Sequence, residues 1–395
     1  MTVSLTGDGI YLIAIAWQVL RISDNPSALA LVGLCWSLPM ALLILLSGVL
    51  SDRVPRRRLM LVGDLVRGVA IATMGLVTLR GAPPLWPYLA LAAVYGCGQA
   101  LFTPANAAIV PDLVPADELV QANALGEFVR PFAATLLGPA IGGVLVGTAG
   151  PGWAFVADAA TFAFSAVMIL SMHRQPPATA GREPTSAYRD LLEGLRLVRS
   201  TTWLWVAMAA AAVSLLCFWG PFEVLVPFLV KDELHGSAVQ LGLVFACGGG
   251  GAVLTALTLG QRKLPRRPLS VMYLSWFVAT LMLAGFGLAH SLWPMYLVSA
   301  VSNAGITILL IIWLTVTQRL VPASLLGRVS SLDWLVSTAG VPLSFALTGP
   351  LSAALGVRPT LIVAGTVGAA VILIFAVLVP GARAPERDGS FAAYS

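Results

Sequence analysis

The chain has 395 residues and a formal charge of +5, yet only 10% of its residues are charged and 58% are hydrophobic. Soluble domains sit near 45–50% apolar with about a quarter charged, so the excess has to meet lipid. An ordinary water-soluble enzyme is excluded. A nucleic-acid binder is excluded too, because the positive charges form neither one basic face nor a pattern interleaved with stacking aromatics.

Apolar runs of about 20 residues, long enough at 1.5 Å per residue to cross a hydrocarbon layer of ~30 Å, recur along the chain. They predict twelve spans, at 1–20, 27–50, 59–80, 85–108, 123–147, 153–172, 203–225, 238–260, 269–289, 292–316, 329–350 and 358–379. The first carries Asp8 and lacks a basic lead and a small-residue cleavage site, so it is expected to remain as a span. The expected organisation is a six-helix bundle over 1–172, a cytoplasmic linker over 173–202, a second six-helix bundle over 203–380 and a tail over 381–395. Within the linker, Leu191, Leu192, Leu195 and Val198 share one helical face opposite Arg189, Glu193 and Arg196, which predicts an amphipathic brace at the membrane surface.

The second and third spans are joined by GVLSDRVPRRR, where Asp52, Arg53, Arg56, Arg57 and Arg58 crowd together. With the amino terminus placed in the cytoplasm, seventeen Lys and Arg fall on that side and four on the other. The positive-inside rule then puts both termini and the linker in the cytoplasm. The halves also echo each other. SDRVPRRRL at 51–59 matches GQRKLPRRPL at 260–269, and VPADELVQANAL at 114–125 matches VPASLLGRVSSL at 321–332. A duplicated six-helix unit with a parallel repeat follows.

These features identify the sequence as resembling the major facilitator superfamily, within the drug:proton antiporter branch that holds macrolide-efflux and siderophore-export proteins. The family's loop motif, Gly-x-x-x-Asp-Arg-x-Gly-Arg-Arg, falls on Gly48, Asp52, Arg53, Arg56 and Arg57, with Pro55 in place of the second glycine. Its antiporter motif, Gly-Pro-x-x-Gly-Gly, falls on Gly138, Pro139, Gly142 and Gly143. Two departures stand out. The fourth span has no arginine, where some relatives carry a proton-relay arginine, and the chain begins closer to Asp8 than relatives do to the equivalent position.

Two readings of the arginine cluster are open. Either it only orients the chain, or it closes a cytoplasmic gate. In the second reading Asp112 is an intradomain partner, Asp333 pairs with the arginines of 53–58, and Glu127 pairs with Arg262 or Arg266. Glu127 also has a local alternative in Arg130 at i+3.

A charge at the bilayer centre costs ~2.5–3.5 kcal/mol, so an embedded acid is a functional candidate by default. Counted from Leu20, Asp8 lies ~18 Å deep, near the midplane. It is the favoured proton-coupling carboxylate, against a packing hydrogen bond as the alternative. Glu223 is second, bracketed by Pro221 and Pro227 where a broken helix would bare carbonyls, unless it reaches the outer interface. Asp64 has Arg67 at i+3 and needs no further role.

The resemblance implies that spans one, four, seven and ten line a central cavity, whose lining would include Trp17, Gln18, Tyr95, Gln99, Asn106, Trp219, Asn303, Thr307 and Trp313. Large rings with few fixed charges fit a bulky, mainly apolar ligand. Cys35, Cys97, Cys217 and Cys247 lie in apolar runs without metal-ligand spacing, and no nucleophile, metal, cofactor or nucleotide site is implied. The expected protein is a monomeric exporter in a bacterial plasma membrane, moving an amphipathic small molecule in exchange for protons among membrane lipid. A lipid or lysolipid translocator and a passive uniporter of the same fold are the alternatives.

Overall fold

The computed structural model describes residues 2–81, 83–113, 126, 128–172, 195–262 and 264–388. Its long helices are α1 Thr2–Ile22, α2 Pro26–Arg53, α3 Arg56–Leu79, α4 Trp86–Leu113, α5 Phe128–Ala149 and α6 Pro151–Ser171. The second half holds α7 Thr202–Glu233, α8 Ala238–Gly260, α9 Pro268–Leu288, α10 Leu292–Leu320, α11 Ala323–Leu355 and α12 Val357–Leu378. Among the described residues eleven of these are long and apolar enough to cross a membrane. Helix α4, with 28 residues, interleaves with them as the twelfth.

Local chemistry starts and stops the helices. Proline, whose missing N–H would be unsatisfied anyway, occupies the first turn of α2, α6 and α9. The Asn25 Oδ1 accepts the Ser27 N–H at 2.9 Å ahead of α2. Before α8, Ser237 Oγ accepts the Gln240 N–H and Gln240 Oε1 accepts the Ser237 N–H, a reciprocal cap. Helices α5 and α11 both end on a glycine in the left-handed region, Gly150 at φ 87° and Gly356 at φ 91°. The same turn therefore leads into α6 and α12, as a duplication requires.

Several helices run beyond the predicted spans because hydrogen-bonded turns continue past the hydrocarbon layer. Helix α2 extends through Arg53, leaving only Val54 and Pro55 before α3. Helix α7 does not break at its prolines. It continues to Glu233 through widened π turns at Pro221–Leu225 and Leu229–Glu233, which absorb the missing proline N–H groups. Of the expected linker helix, residues 195–200 are helical, with Val198 buried beside Trp203. Residues 173–194 lie outside the described residues.

In the first half α1 packs on α5 and α6, α3 on α4 and α6, and α2 on α4. In the second, α9 packs on α10 and α12, α8 on α10, and α7 on α11 and α12. The halves meet along two seams, α2 with α11 and α5 with α8. The seams are uneven. At the end of the bundle carrying the turns at 23–25, 150 and 234–237, one apolar core runs through both halves and joins Ile13, Phe155 and Tyr88 to Phe222, Leu225, Phe345 and Leu361. At the other end, where the chain terminates, the core is split. One cluster around Leu59, Ala105 and Ile169 belongs to the first half, and another around Trp203, Met272 and Val316 belongs to the second. Among the described residues the two halves thus share one core at the far end and keep separate cores at the terminal end.

Polar ties reinforce the closed end. Lys231 Nζ, from the end of α7, donates to the Leu20 carbonyl of α1 at 2.8 Å. Arg358 binds Glu233 Oε2 at 2.5 Å and the carbonyls of Gly287 and Ala289, fastening the ends of α7, α9 and α12.

Candidate coupling site and central cavities

Asp8 lies in the first half of α1, about two turns from its start, with its side chain 26% exposed. Tyr95 of α4 donates its hydroxyl to Asp8 Oδ1 at 2.6 Å. Arg67 of α3 approaches the same oxygen at 3.9 Å. The guanidinium also pairs with Asp64, whose Oδ2 accepts the Ser165 hydroxyl of α6 at 2.5 Å. Arg67 lies between two rings, its Cζ 4.2 Å from the Phe102 centroid and 4.7 Å from that of Phe162. In a desolvated site such a cation–π contact is worth about 2 kcal/mol. Arg67 and Asp64 are almost fully buried, at 3% and 0% exposure.

The local pairing of Asp64 with Arg67 is therefore only part of the arrangement. One face of α3 brings the arginine across to Asp8, so the charge absent from α4 is supplied from the neighbouring helix. Asp158 of α6 lies close by, fully buried, with Thr161 donating to its Oδ1 at 3.2 Å. Gly7, lacking a side chain, lets that carboxyl come against the α1 backbone. Among the described residues Asp158 Oδ2 has no hydrogen-bond partner.

Asp8 opens into a cavity of about 210 Å³ that also receives Glu223 of α7, Tyr11, Tyr95, Gln99 and Trp36. The two acids singled out by depth thus share one chamber, with Glu223 turned inward. A larger cavity of about 380 Å³ lies toward the terminal end, lined in part by Trp36, Gln99, Trp219, Trp313 and Asp333. Trp36 and Gln99 belong to both cavities, and Trp36 Nε1 donates to Gln99 Oε1 at 2.8 Å. The two cavities adjoin at this pair.

Of the other residues expected to line the cavity, Trp17 packs against the far-end core and Gln18 is buried. Asn303 donates to the Ser299 carbonyl and Thr307 to that of Asn303. Such bonds one turn back are what short polar side chains make in a helix, and they draw these groups away from a ligand. Asn106 is not among the residues lining either cavity. Conversely, Trp36, Trp276 and Trp334 line the large cavity without having been expected. Their helices are α2, α9 and α11, and hydropathy does not reveal which face of an all-apolar helix turns inward.

The gate residues divide. Arg57 Nε donates to the Ile169 carbonyl at 2.7 Å, and its NH2 group to the Leu170 carbonyl, so it caps the last turn of α6. Asp333 accepts from Trp313 Nε1 at 3.0 Å and faces the large cavity, so the structure does not bring Asp333 and Arg57 together. Arg56 is half-buried, while Arg130, Arg262 and Arg266 are exposed. Gly48, Asp52, Arg53 and Asp112 sit in helical turns whose side-chain surroundings lie outside the described residues, and Glu127 lies outside them altogether.

The Gly-Pro-x-x-Gly-Gly stripe forms a three-helix crossing. A Cβ on Gly138 would stand 2.6 Å from Gly9 Cα of α1, and one on Gly142 2.9 Å from Ile10 Cα. One on Gly143 would stand 3.0 Å from Gly242 Cα of α8. Helix α5 therefore touches the Asp8 helix on one side and the opposite half on the other, backbone against backbone.

The whole length of the chain, residues 1–391, matches the family described as transmembrane secretion effectors. The chain belongs to the major facilitator superfamily. It is 30% identical over 319 residues to the enterobactin exporter EntS of Escherichia coli O1:K1, covering 78% of this chain and 73% of that one. It is 25% identical over 383 residues to the MFS-type transporter YfiS of Bacillus subtilis strain 168, covering 92% and 88%. A bacterial homologue of the iron transporter ferroportin, solved in an inward-facing state, superposes with a TM-score of 0.73 at 16% identity, over 95% of this chain and 96% of that one. That likeness is one of fold. This major facilitator protein is a multi-pass membrane transporter, built as an all-α pair of six-helix bundles.

Proposed function

We propose that this transporter exports an amphipathic small molecule across a bacterial plasma membrane in exchange for protons, with Asp8 as the coupling carboxylate. One observation carries the reading. A carboxylate within a membrane-spanning helix opens into a chamber and is held by an arginine and a tyrosine from two other helices. Ionisable residues within membrane spans mark functional sites by default, and proton relays are among the roles they serve.

The sequence of events follows from the contacts. Unprotonated Asp8 is attracted to Arg67 and accepts from Tyr95. Protonation removes the charge that Arg67 faces, while Asp64 and the two phenyl rings keep the guanidinium in place. Helix α1 then loses a tie to α3 but keeps its backbone contact with α5, which in turn touches α8. A proton at Asp8 so biases the α5–α8 seam between the halves, and differential stabilisation of two states is what a coupled transporter needs. The conformation with the far end closed receives substrate from the terminal end. The seventeen cationic residues assigned to that end support a cytoplasmic position for it. The gate reading of Asp52, Arg53, Asp112, Glu127, Arg262 and Arg266 belongs to the closing of this end.

The relationship to EntS supports export as the direction. The experiment is transport across proteoliposomes with a panel of compounds on the side of the chain termini. Acid imposed on the opposite side is expected to accelerate movement of at least one compound toward it. Equal rates for every compound with and without the gradient would contradict proton coupling and favour a passive uniporter or lipid translocator.

A further inference from the structure

We propose that the large cavity is a site for a bulky organic cation, with Asp333 as its counter-charge and a tryptophan cage as its wall. This deepens the export reading and rests on it only for the statement that the ligand is moved.

Five of the chain's 11 tryptophans, Trp36, Trp219, Trp276, Trp313 and Trp334, line this one cavity. Their polar ends are largely spent. Trp36 donates to Gln99, Trp276 Nε1 donates to Ser214 Oγ at 3.0 Å, and Trp313 donates to Asp333. At these three tryptophans a ligand therefore meets ring surface rather than a free N–H donor. Ring faces carry the negative end of the aromatic quadrupole and attract cations, most strongly where water is excluded.

The charge pattern points the same way. Among the described lining residues Asp333 is the one ionisable group, and no Lys or Arg lines the cavity. Its Oδ2 is held by Trp313, and Oδ1 has no protein partner among the described residues. The nearby Ser37 hydroxyl is directed to the Gly33 carbonyl at 2.7 Å. A carboxylate in a mostly hydrocarbon wall is costly until a cation accompanies it. An anionic ligand would meet like charge and no compensating cation. At about 380 Å³ the space is that of a drug-sized molecule. These groups come from α2, α7, α9, α10 and α11, so the cage spans both halves and is remade whenever they rock.

Asp8 and Glu223 do not line the cage, which adjoins their chamber at Trp36 and Gln99, so its selectivity is measurable without any proton gradient. The test is equilibrium binding of radiolabelled tetraphenylphosphonium to the detergent-solubilised full-length protein, in parallel with tetraphenylborate, an anion of the same shape. Saturable binding of the phosphonium is expected, with the borate weaker by about tenfold or more. Asp333→Asn is expected to weaken phosphonium binding by about tenfold, and Asp333→Glu by no more than about threefold. Trp219→Leu is expected to weaken it by about fivefold, and Trp219→Phe to retain it. The Trp219 pair decides the matter where an Asp333 variant does not fold. Borate bound as tightly as phosphonium, no saturable binding of phosphonium, or full affinity in both Asp333→Asn and Trp219→Leu would overturn the proposal. The outcomes separate cleanly. A neutral compound driven by a pH gradient while phosphonium fails to bind removes the cation site and leaves export standing.

Discussion

Arg67 is the residue on which the coupling arrangement turns, and sequence alone assigned it half its partners. Its spacing to Asp64 is legible along one helix, whereas its reach to Asp8 depends on how α3 is rotated against α1 and α4, which no local pattern encodes. The apolar run predicts a deep position for Asp8, because helical rise is fixed. For Asp333 the sequence suggests arginine partners while the structure gives it the Trp313 indole, since a carboxylate near a helix end looks alike whether it faces an arginine or an indole. Removing Arg67 leaves Asp64 buried without its counter-ion, a loss of about 3–5 kcal/mol. Arg67→Gln is therefore expected to lower the thermal unfolding midpoint of the purified protein. Adding Asp64→Asn is expected to recover most of the midpoint while gradient-driven transport stays lost. Recovery of transport in the double variant would show that Arg67 serves only Asp64.

At the scale of elements, the twelve helices and the glycine motif could be read from the chain because hydropathy and the absence of side chains are properties of composition. What the motif touches could not. Gly138 and Gly142 let α5 lie on α1, and Gly143 lets it lie on Gly242 of α8. Backbone atoms at that crossing have no rotamer to change, so a bulky side chain must push helices apart. Gly143→Val is expected to destabilise the closed far end by about 1–3 kcal/mol. The measurement is disulfide cross-linking between cysteines introduced at Gly147 and Val239, which face each other in the same seam. Cross-linking should fall sharply in the Gly143→Val background. Undiminished cross-linking would mean that the seam tolerates the added volume. The continuous α7 was hidden for a related reason: two prolines predict a break, and only the packed helix shows widened turns taking up the slack.

The whole molecule is a pair of bundles fused by one apolar core at the far end and, among the described residues, holding separate cores at the other. The duplication, the helix count and the charge asymmetry foretold the pairing of halves. They are silent on which state the pair adopts, since both states bury the same sequence in nearly the same lipid. In this arrangement the Asp8 chamber, the Trp36–Gln99 pair and the tryptophan-lined cavity follow one another along the cleft. The account's central claim is that Asp8 links proton movement to the rocking of the halves. Its most direct test compares two modes of transport in proteoliposomes carrying wild-type protein or Asp8→Asn, using one substrate throughout. Substrate-for-substrate exchange needs only rocking, whereas uphill movement under a pH gradient needs the linkage. The account predicts that Asp8→Asn keeps exchange and loses uphill movement. Wild-type uphill transport in Asp8→Asn would contradict it.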